Sequence, residues 1–188
     1  ENCNWDIEYG YQQLKIKIGR SGKWYSYADG MKMDIEVIKQ INNAFPNIKL
    51  LVDSNDKYTL QDTINFLRGI GDIPLLWVEE PFRENYEEGK KLRKWMDDNG
   101  FKNTLYADGE ANRNHELCLR MGKENIMNVY LADIRSFGFT RWRQLMGELN
   151  SYEMLASPHA FGSMLKTHYI THVAAAFGNI ITIEGVTC

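Results

Sequence analysis

The chain alternates short apolar runs with helical stretches along almost its whole length, and this alternation limits its fold more than any other feature. Seven runs have the length and the apolar or alternating character of β-strands: residues 14–18, 48–52, 75–78, 104–107, 126–131, 152–156 and 180–183. Six helices are predicted between them, over residues 34–45, 60–67, 86–96, 116–121, 139–149 and 163–177. Strict alternation of strands and helices predicts a parallel sheet that helices cover.

The number of predicted strands indicates a barrel that is one strand short. A (β/α)8 TIM barrel has eight strands and typically about 250 residues, whereas this chain has 188 residues. Because no strand-like run precedes Leu14, we expect the first strand to be the absent one. No Gly-rich phosphate loop follows a predicted strand, which disfavours a dinucleotide-binding fold. The sequence therefore predicts a single α/β domain over residues 1–188, an incomplete (β/α)8 barrel with seven strands.

Every predicted strand carries or is followed by an ionisable side chain, and catalytic groups of such barrels lie at the C-terminal strand ends. In chain order these groups are Lys15 with Lys17, Asp53, Glu79 with Glu80, Glu110, Asp133, His159 and Glu184. Taken alone, each group is most simply a solvated loop charge. Seven groups spaced by one βα unit each are poorly explained by chance, and a closed barrel would direct all of them into one mouth.

Three of these groups are carboxylates from successive strands, Asp53, Glu79 and Glu110. Carboxylates cannot crowd together unless a cation neutralises them or some of them are protonated. A set of oxygen ligands without Cys or His favours Mg²⁺, with Mn²⁺ as the alternative.

The remaining groups contain candidate bases. Lys15 and Lys17 alternate on one strand and so share a face. Two ammonium groups this close repel each other, which makes one of them a candidate base. Asp133 precedes His159 by one βα unit, so its carboxylate can orient the imidazole as in other His–Asp dyads.

These residues lie in motifs that resemble the enolase superfamily, in its mandelate racemase subgroup. The motifs are Lys15-Ile16-Lys17, Asp53-Ser54-Asn55, Trp77-Val78-Glu79-Glu80-Pro81, Gly109-Glu110-Ala111-Asn112, the segment Asp-Ile-Arg-Ser-Phe-Gly-Phe-Thr that begins at Asp133, Ser157-Pro158-His159 and Ile183-Glu184-Gly185. Each motif alone is weak, but their order and spacing over about residues 10–184 are specific.

The resemblance implies a role for each group. It implies Asp53, Glu79 and Glu110 as Mg²⁺ ligands, with Glu80 and Asn55 as neighbouring groups. Lys17 and His159 would be the two acid/base groups, with Asp133 supporting His159. Lys15, Glu184 and Asn55 would be substrate-binding residues. A His–Asp dyad in place of a lysine on the sixth barrel strand disfavours the muconate-lactonising subgroup. The resemblance also implies an N-terminal α+β capping domain, which this sequence does not include.

The reaction implied by the resemblance is abstraction of the proton α to a carboxylate, through an enediolate intermediate. We favour an acid-sugar (aldonate-type) dehydratase, a lyase that yields a 2-keto-3-deoxy acid. The same bases also suit a racemase or epimerase of a 2-hydroxy acid. A hypothesis from a different class is an inactive fragment that only binds metal. The loop over residues 20–30 could cover the site and meet an acidic substrate through Arg20 or Lys23, or it could be an ordinary packed loop.

Composition limits the partners. The net charge is −3, so there is no broad basic field for nucleic acid, and no apolar run approaches the ~20 residues of a membrane span. The three cysteines are far apart, which favours a reducing, cytoplasmic setting over a disulfide framework. We expect a small-molecule carboxylate as partner, an acid sugar in the favoured hypothesis, and a homo-oligomer when the protein is complete.

Overall fold

The computed structural model of the chain describes residues 2–22, 25–110 and 114–185. It divides into two compact units, an N-terminal unit (Glu1–Leu105) and a C-terminal unit (Tyr106–Cys188). Strands alternate with helices in both units, and strands that pair within a unit are parallel. The predicted α/β class is therefore confirmed. No helix of the described segments is long and apolar enough to cross a bilayer.

The N-terminal unit brings the ends of three strands level with one another. In chain order its elements are α1 (Asn2–Glu8), β1 (Gln13–Lys17), α2 (Tyr27–Ala44), β2 (Lys49–Asp53), α3 (Leu60–Ile70), β3 (Leu75–Glu79) and α4 (Tyr86–Asp98). β2 pairs with β1 on one side and with β3 on the other. The register places Lys17 beside Asp53 and Asp53 beside Glu79. The final residues of the three strands therefore lie along one edge.

Polar side chains at the N-termini explain where three of these helices begin. The Ser26 hydroxyl accepts a hydrogen bond from the Asp29 amide at the start of α2. Thr59 and Asp62 form a reciprocal capping box on α3, and the Asn85 side chain caps α4. The buried faces of the helices pack on the strands in a core that includes Ile38, Leu50, Val52, Phe66, Leu67, Val78, Leu92 and Met96.

α2 starts earlier than the sequence predicts, at Tyr27 rather than at Asp34. Part of the predicted loop over residues 20–30 is therefore helical. Gly30, which resembles a loop residue in the sequence, lies in the first turn of α2. A Cβ atom there would come within 2.6 Å of the Ser21 backbone nitrogen, so the glycine allows the preceding loop to pack on the helix. Lys23, the second candidate contact for an acidic substrate, lies outside the described residues.

A buried carboxylate ties the loop after β1 to the loop after β2. Asp34 has no exposed surface. Its oxygens accept hydrogen bonds from the amides of Gly19 (2.8 Å) and Arg20 (3.2 Å) and from the Tyr58 hydroxyl (2.8 Å), and they pair with the Arg20 guanidinium. Burial, together with the hydrogen bond to Asp34, raises the pKa of Tyr58. The guanidinium of Arg20 thus neutralises Asp34, so it is engaged within the chain rather than available to an acidic substrate.

We expect Tyr58→Phe to lower the free energy of unfolding by about 1.5–3 kcal/mol, because it removes a hydrogen bond to a charged, buried group. Urea denaturation followed by circular dichroism measures the change. Tyr152→Phe is a matched control, since the buried Tyr152 hydroxyl makes no hydrogen bond with the part of the chain that the structure describes. The control should change stability by less than about 0.5 kcal/mol. Equal losses in the two variants would contradict a stabilising role for the Asp34 network.

The C-terminal unit repeats the alternation with shorter strands. Its elements are β4 (Leu105–Asp108, which begins at the last residue of the N-terminal unit), α5 (His115–Lys123), β5 (Val129–Tyr130), α6 (Ile134–Phe137), α7 (Phe139–Ser151), β6 (Leu155–Ala156) and α8 (Met164–Ala176). β5 pairs with β4 and with β6. Two hydrogen bonds, from Asn128 to the Tyr106 carbonyl and from Leu131 to the Asp108 carbonyl, continue the alignment beyond both ends of β5.

The predicted seventh strand, residues 180–183, is present only as one isolated bridge between Ala156 and Ile180. The described residues therefore contain six strands rather than seven. Side chains hold the backbone that follows Ile180, because the Ser157 hydroxyl donates to the Thr182 carbonyl and the Thr167 hydroxyl to the Glu184 carbonyl. Apolar alternation in the sequence could not reveal that hydroxyl groups replace the strand ladder here.

Candidate active site

Two buried carboxylates lie at the C-terminal edge of the strands in the N-terminal unit. Asp53 ends β2 and Glu79 ends β3, and their side chains are almost completely buried. Each offers a carboxylate oxygen within 4.8 Å of the other. Two carboxyl groups at this separation and burial are stable only if a cation compensates their charge or one of them is protonated. The sequence predicted both residues, because each follows directly on an apolar run with strand character.

Two lysines of β1 supply positive charge to these carboxylates. The Lys15 ammonium lies 2.8 Å from Oε1 of Glu79 and 3.5 Å from Oδ2 of Asp53. The Lys17 ammonium pairs with Asp53 and also donates to Oδ1 of Asn55 at 3.0 Å. Lys17 is the more accessible lysine, with 57% of its side chain exposed against 21% for Lys15. The alternation of the K-x-K strand therefore directs both ammonium groups to Asp53, and Lys15 also contacts Glu79.

Asn55 is shaped by a local turn in the backbone. Its φ is +44°, in the left-handed region that asparagine tolerates better than most residues. The Asn55 amide donates to Oδ1 of Asp53 at 2.9 Å, and its side chain donates to Oε2 of Glu80 at 3.4 Å. Asn55 thus contacts Asp53, Lys17 and Glu80.

Sequence reasoning missed the contribution of Trp77 to this cluster. Its indole nitrogen donates to Oε2 of Glu79 at 2.9 Å, while Lys15 binds Oε1. Both oxygens of Glu79 are therefore held, one by a neutral donor and one by a cation. The signal was available, because Trp77 and Glu79 are two residues apart on a strand and so share a face.

A His–Asp dyad lies in the C-terminal unit. Nδ1 of His159 lies 2.9 Å from Oδ2 of Asp133. Oδ1 of Asp133 accepts hydrogen bonds from the amides of Arg135 and Ser136, at the start of α6. Burial acts to raise the pKa of Asp133, but hydrogen bonds from Lys166, the Ser136 amide and His159 lower it to about 2. Asp133 is therefore ionised near neutral pH, so Nδ1 of His159 donates the proton that they share.

The other nitrogen of His159 faces two carboxylates of the same unit. Nε2 lies 3.2 Å from Oε1 of Glu110 and 3.6 Å from Oε2 of Glu184. Oε2 of Glu184 also accepts hydrogen bonds from the amides of Ala160 (2.8 Å) and Phe161 (2.9 Å). Glu184 therefore fixes the loop that carries His159, a role that the sequence did not predict for it.

Lys166 is the second residue that sequence reasoning missed. It lies in the first turn of α8, and its ammonium is 2.6 Å from Oδ2 of Asp133 and 3.1 Å from the Phe161 carbonyl. Lys166 and Asp133 are 33 positions apart in the chain, so no local sequence motif indicates that they are in contact.

Each unit thus brings together its own share of the predicted residues. The N-terminal unit groups Lys15, Lys17, Asp53, Asn55 and Glu79, and the C-terminal unit groups Glu110, Asp133, His159 and Glu184. His115 is at the N-terminus of α5 and pairs with the Tyr130 hydroxyl, so it belongs to the packing of the unit.

Comparison with known proteins identifies the family. Residues 3–188 match the family described as enolase C-terminal domain-like. The chain belongs to this family. The resemblance to the enolase superfamily that the sequence motifs indicated is therefore confirmed. Among curated relatives, the o-succinylbenzoate synthase of Bacillus subtilis (strain 168) is 36% identical over 88 residues, which are 46% of this chain and 20% of that protein.

Solved structures of enolase-superfamily proteins share the fold across nearly the whole chain. A galacturonate dehydratase from Geobacillus sp., complexed with D-galacturonate and 5-keto-4-deoxy-D-galacturonate, superposes with a TM-score of 0.90 and 30% identity over 95% of this chain and 48% of that one. A mandelate racemase/muconate lactonizing protein from Geobacillus sp. Y412MC10, complexed with magnesium and tartrate, superposes with a TM-score of 0.93 and 30% identity. The match covers 98% of this chain and 47% of that one.

These enolase-superfamily proteins are (β/α)8-barrel proteins, so the predicted barrel class is confirmed. The chain spans about half the length of the solved proteins that it matches.

Proposed function

We propose that the complete protein containing this chain is a Mg²⁺-dependent enzyme that removes the proton α to a carboxylate, and that it is an acid-sugar dehydratase. The observation that carries this proposal is the His159–Asp133 dyad, whose Nε2 is directed away from Asp133 and toward the carboxylates of Glu110 and Glu184. An imidazole held in this way can exchange a proton with a bound substrate through Nε2.

The donor chemistry of the chain fits a divalent ion of the magnesium type. Asp53 and Glu79 offer only carboxylate oxygens, they are buried, and lysines now neutralise them. We propose that these two residues and Glu110 hold Mg²⁺, which supplies positive charge that stabilises the enediolate oxygens of the substrate. The magnesium in the matched Geobacillus complex supports this ion. Mn²⁺ is the alternative ion, because it also accepts carboxylate oxygen ligands.

The remaining site residues would bind the substrate and transfer protons to and from it. We propose that Lys15 and Glu184 bind the substrate carboxylate, with Asn55 beside them, and that Lys17, as its neutral amine, takes the proton from C2 and becomes an ammonium. The side chain of Lys17 is the more exposed of the two and can reach a ligand, whereas Lys15 is more enclosed. His159 then donates a proton to the hydroxyl that leaves C3, so that water departs. The resulting enol gains a proton at C3 and gives the 2-keto-3-deoxy acid.

A racemase or epimerase is the second candidate, because it needs the same two acid/base groups on opposite faces of the α-carbon. In that reaction His159 would return a proton to C2 instead of releasing a hydroxyl group from C3. The galacturonate dehydratase among the matched structures favours dehydration. The third hypothesis is a fragment that binds metal without turnover, and only an assay of the complete protein can distinguish it.

The test is a screen of the full-length protein against aldonates, uronates and 2-hydroxy acids with 5 mM Mg²⁺ or with EDTA. A keto-specific reagent detects dehydration, and proton NMR in D₂O detects exchange at C2. A dehydratase yields keto product with at least one acid sugar, and a racemase yields exchange or epimer without keto product. Absence of both signals across the screen would contradict the proposed function. Light scattering on the same sample tests the homo-oligomer that we expect.

A further inference from the structure

The structure points to Lys166 as a positioning residue for His159, an inference that rests on the proposed function and deepens it. Its ammonium binds Oδ2 of Asp133, the same oxygen that accepts the Nδ1 proton of His159. It also donates to the carbonyl of Phe161, two residues after His159 in the same loop. Lys166 therefore joins three segments: the turn that carries Asp133, the loop that carries His159, and α8.

The position of Lys166 is not explained by helix formation. It lies in the first turn of α8, where the helix macrodipole disfavours positive charge. Only 15% of its side chain is exposed, so the ammonium is also largely removed from water. Both costs are offset by the ion pair with Asp133, whose carboxylate is similarly enclosed. The contact with Asp133 thus accounts for a lysine at a site that is otherwise unfavourable to one.

With Lys166 in place, all acceptor sites of the Asp133 carboxylate are occupied. Oδ1 accepts two backbone amides, and Oδ2 accepts Lys166 and His159. A carboxylate has about four lone-pair sites, so this set leaves no freedom to rotate. The direction of Oδ2 then fixes the plane of the imidazole and the direction of Nε2. Without Lys166 the Oδ2 side of Asp133 and the Phe161 carbonyl both lose a partner.

The test compares Lys166→Met and Lys166→Arg in the full-length enzyme. We expect Lys166→Met to lower kcat about 10–100-fold, the range for partners that orient a functional side chain. KM should change less than about threefold, because the proposed substrate contacts are other residues. Lys166→Arg keeps the charge and the donors, and it should recover most of the lost kcat. Lys123→Met is the control, since that lysine makes an exposed ion pair with Glu148 and should leave kcat unchanged.

A second readout does not depend on turnover. Nitrogen NMR of the ¹⁵N-histidine-labelled protein, with the His159 signals assigned from a His159→Asn sample, reports which ring nitrogen carries the proton. We expect the Nδ1 proton of His159 to occupy one environment, beside Asp133, in the native protein and in Lys166→Arg, and more than one environment in Lys166→Met. An inactive native protein would contradict the proposed function, while this spectrum would still decide the role of Lys166.

Three outcomes would overturn the inference. The first is an unchanged kcat and an unchanged His159 spectrum in Lys166→Met. The second is a loss of kcat that Lys166→Arg does not recover. The third is a loss of kcat that merely follows the fraction of unfolded protein, with the native His159 spectrum in the folded fraction, which would indicate a structural role.

Discussion

His159→Asn is expected to abolish dehydration by the full-length enzyme, with a loss of kcat of about 10²–10⁴-fold, while exchange of the C2 proton with solvent continues. Asparagine keeps a polar side chain of similar size near Asp133 but cannot deliver a proton from the position of Nε2. If Lys17 removes the C2 proton and His159 acts on the C3 hydroxyl, the first step survives and the second fails. Proton NMR in D₂O with a keto assay measures both steps on one sample.

Lys17→Met completes this comparison, because it should abolish exchange and dehydration together. Mg²⁺ binding should persist in both variants. His168→Asn is a control for each, since His168 is exposed on α8 and outside both clusters of site residues. If the enzyme is a racemase, His159→Asn should retain exchange for one stereoisomer only. Normal turnover in both Lys17→Met and His159→Asn would mean that neither group is the acid or base.

The parts of the site that could be predicted are those that strand periodicity fixes. Lys15 and Lys17 alternate on β1, and Asp53 and Glu79 end strands whose apolar runs are unambiguous. In a parallel sheet, the phase of each strand then determines which side chains meet at its end. Trp77 obeys the same rule and could have been predicted with them.

The parts that could not be predicted depend on contacts between residues distant in the chain. Lys166 meets Asp133 only because α8 packs beside the turn that carries Asp133. The loop before α2 packs closely on the helix because Gly30 has no Cβ to clash with Ser21, and hydroxyl groups from elsewhere hold the segment after Ile180. Periodicity describes what a segment does alone, whereas these features are determined by its neighbours.

The second large effect expected concerns the metal. Mg²⁺ should raise the thermal stability of the full-length protein, because an ion that binds only the native state stabilises it by about 2.7 kcal/mol at a hundredfold excess over Kd. Glu110→Gln should weaken Mg²⁺ binding by more than about 100-fold, since even residues that merely support a ligand cost 10–100-fold when they are changed. Isothermal titration calorimetry gives the dissociation constants, and EDTA gives the metal-free reference.

Glu116→Gln is the matched control, because this glutamate is exposed on α5 and contributes the same charge to the net balance. An equal loss of affinity in both variants would mean that net charge, not ligation, attracts the ion. An unchanged dissociation constant in Glu110→Gln would remove Glu110 from the ligand set. The ion would then be held by Asp53 and Glu79 alone, and Glu110 would act on Nε2 of His159, which lies 3.2 Å from its Oε1. The variant therefore decides between a ligand and a partner of the histidine.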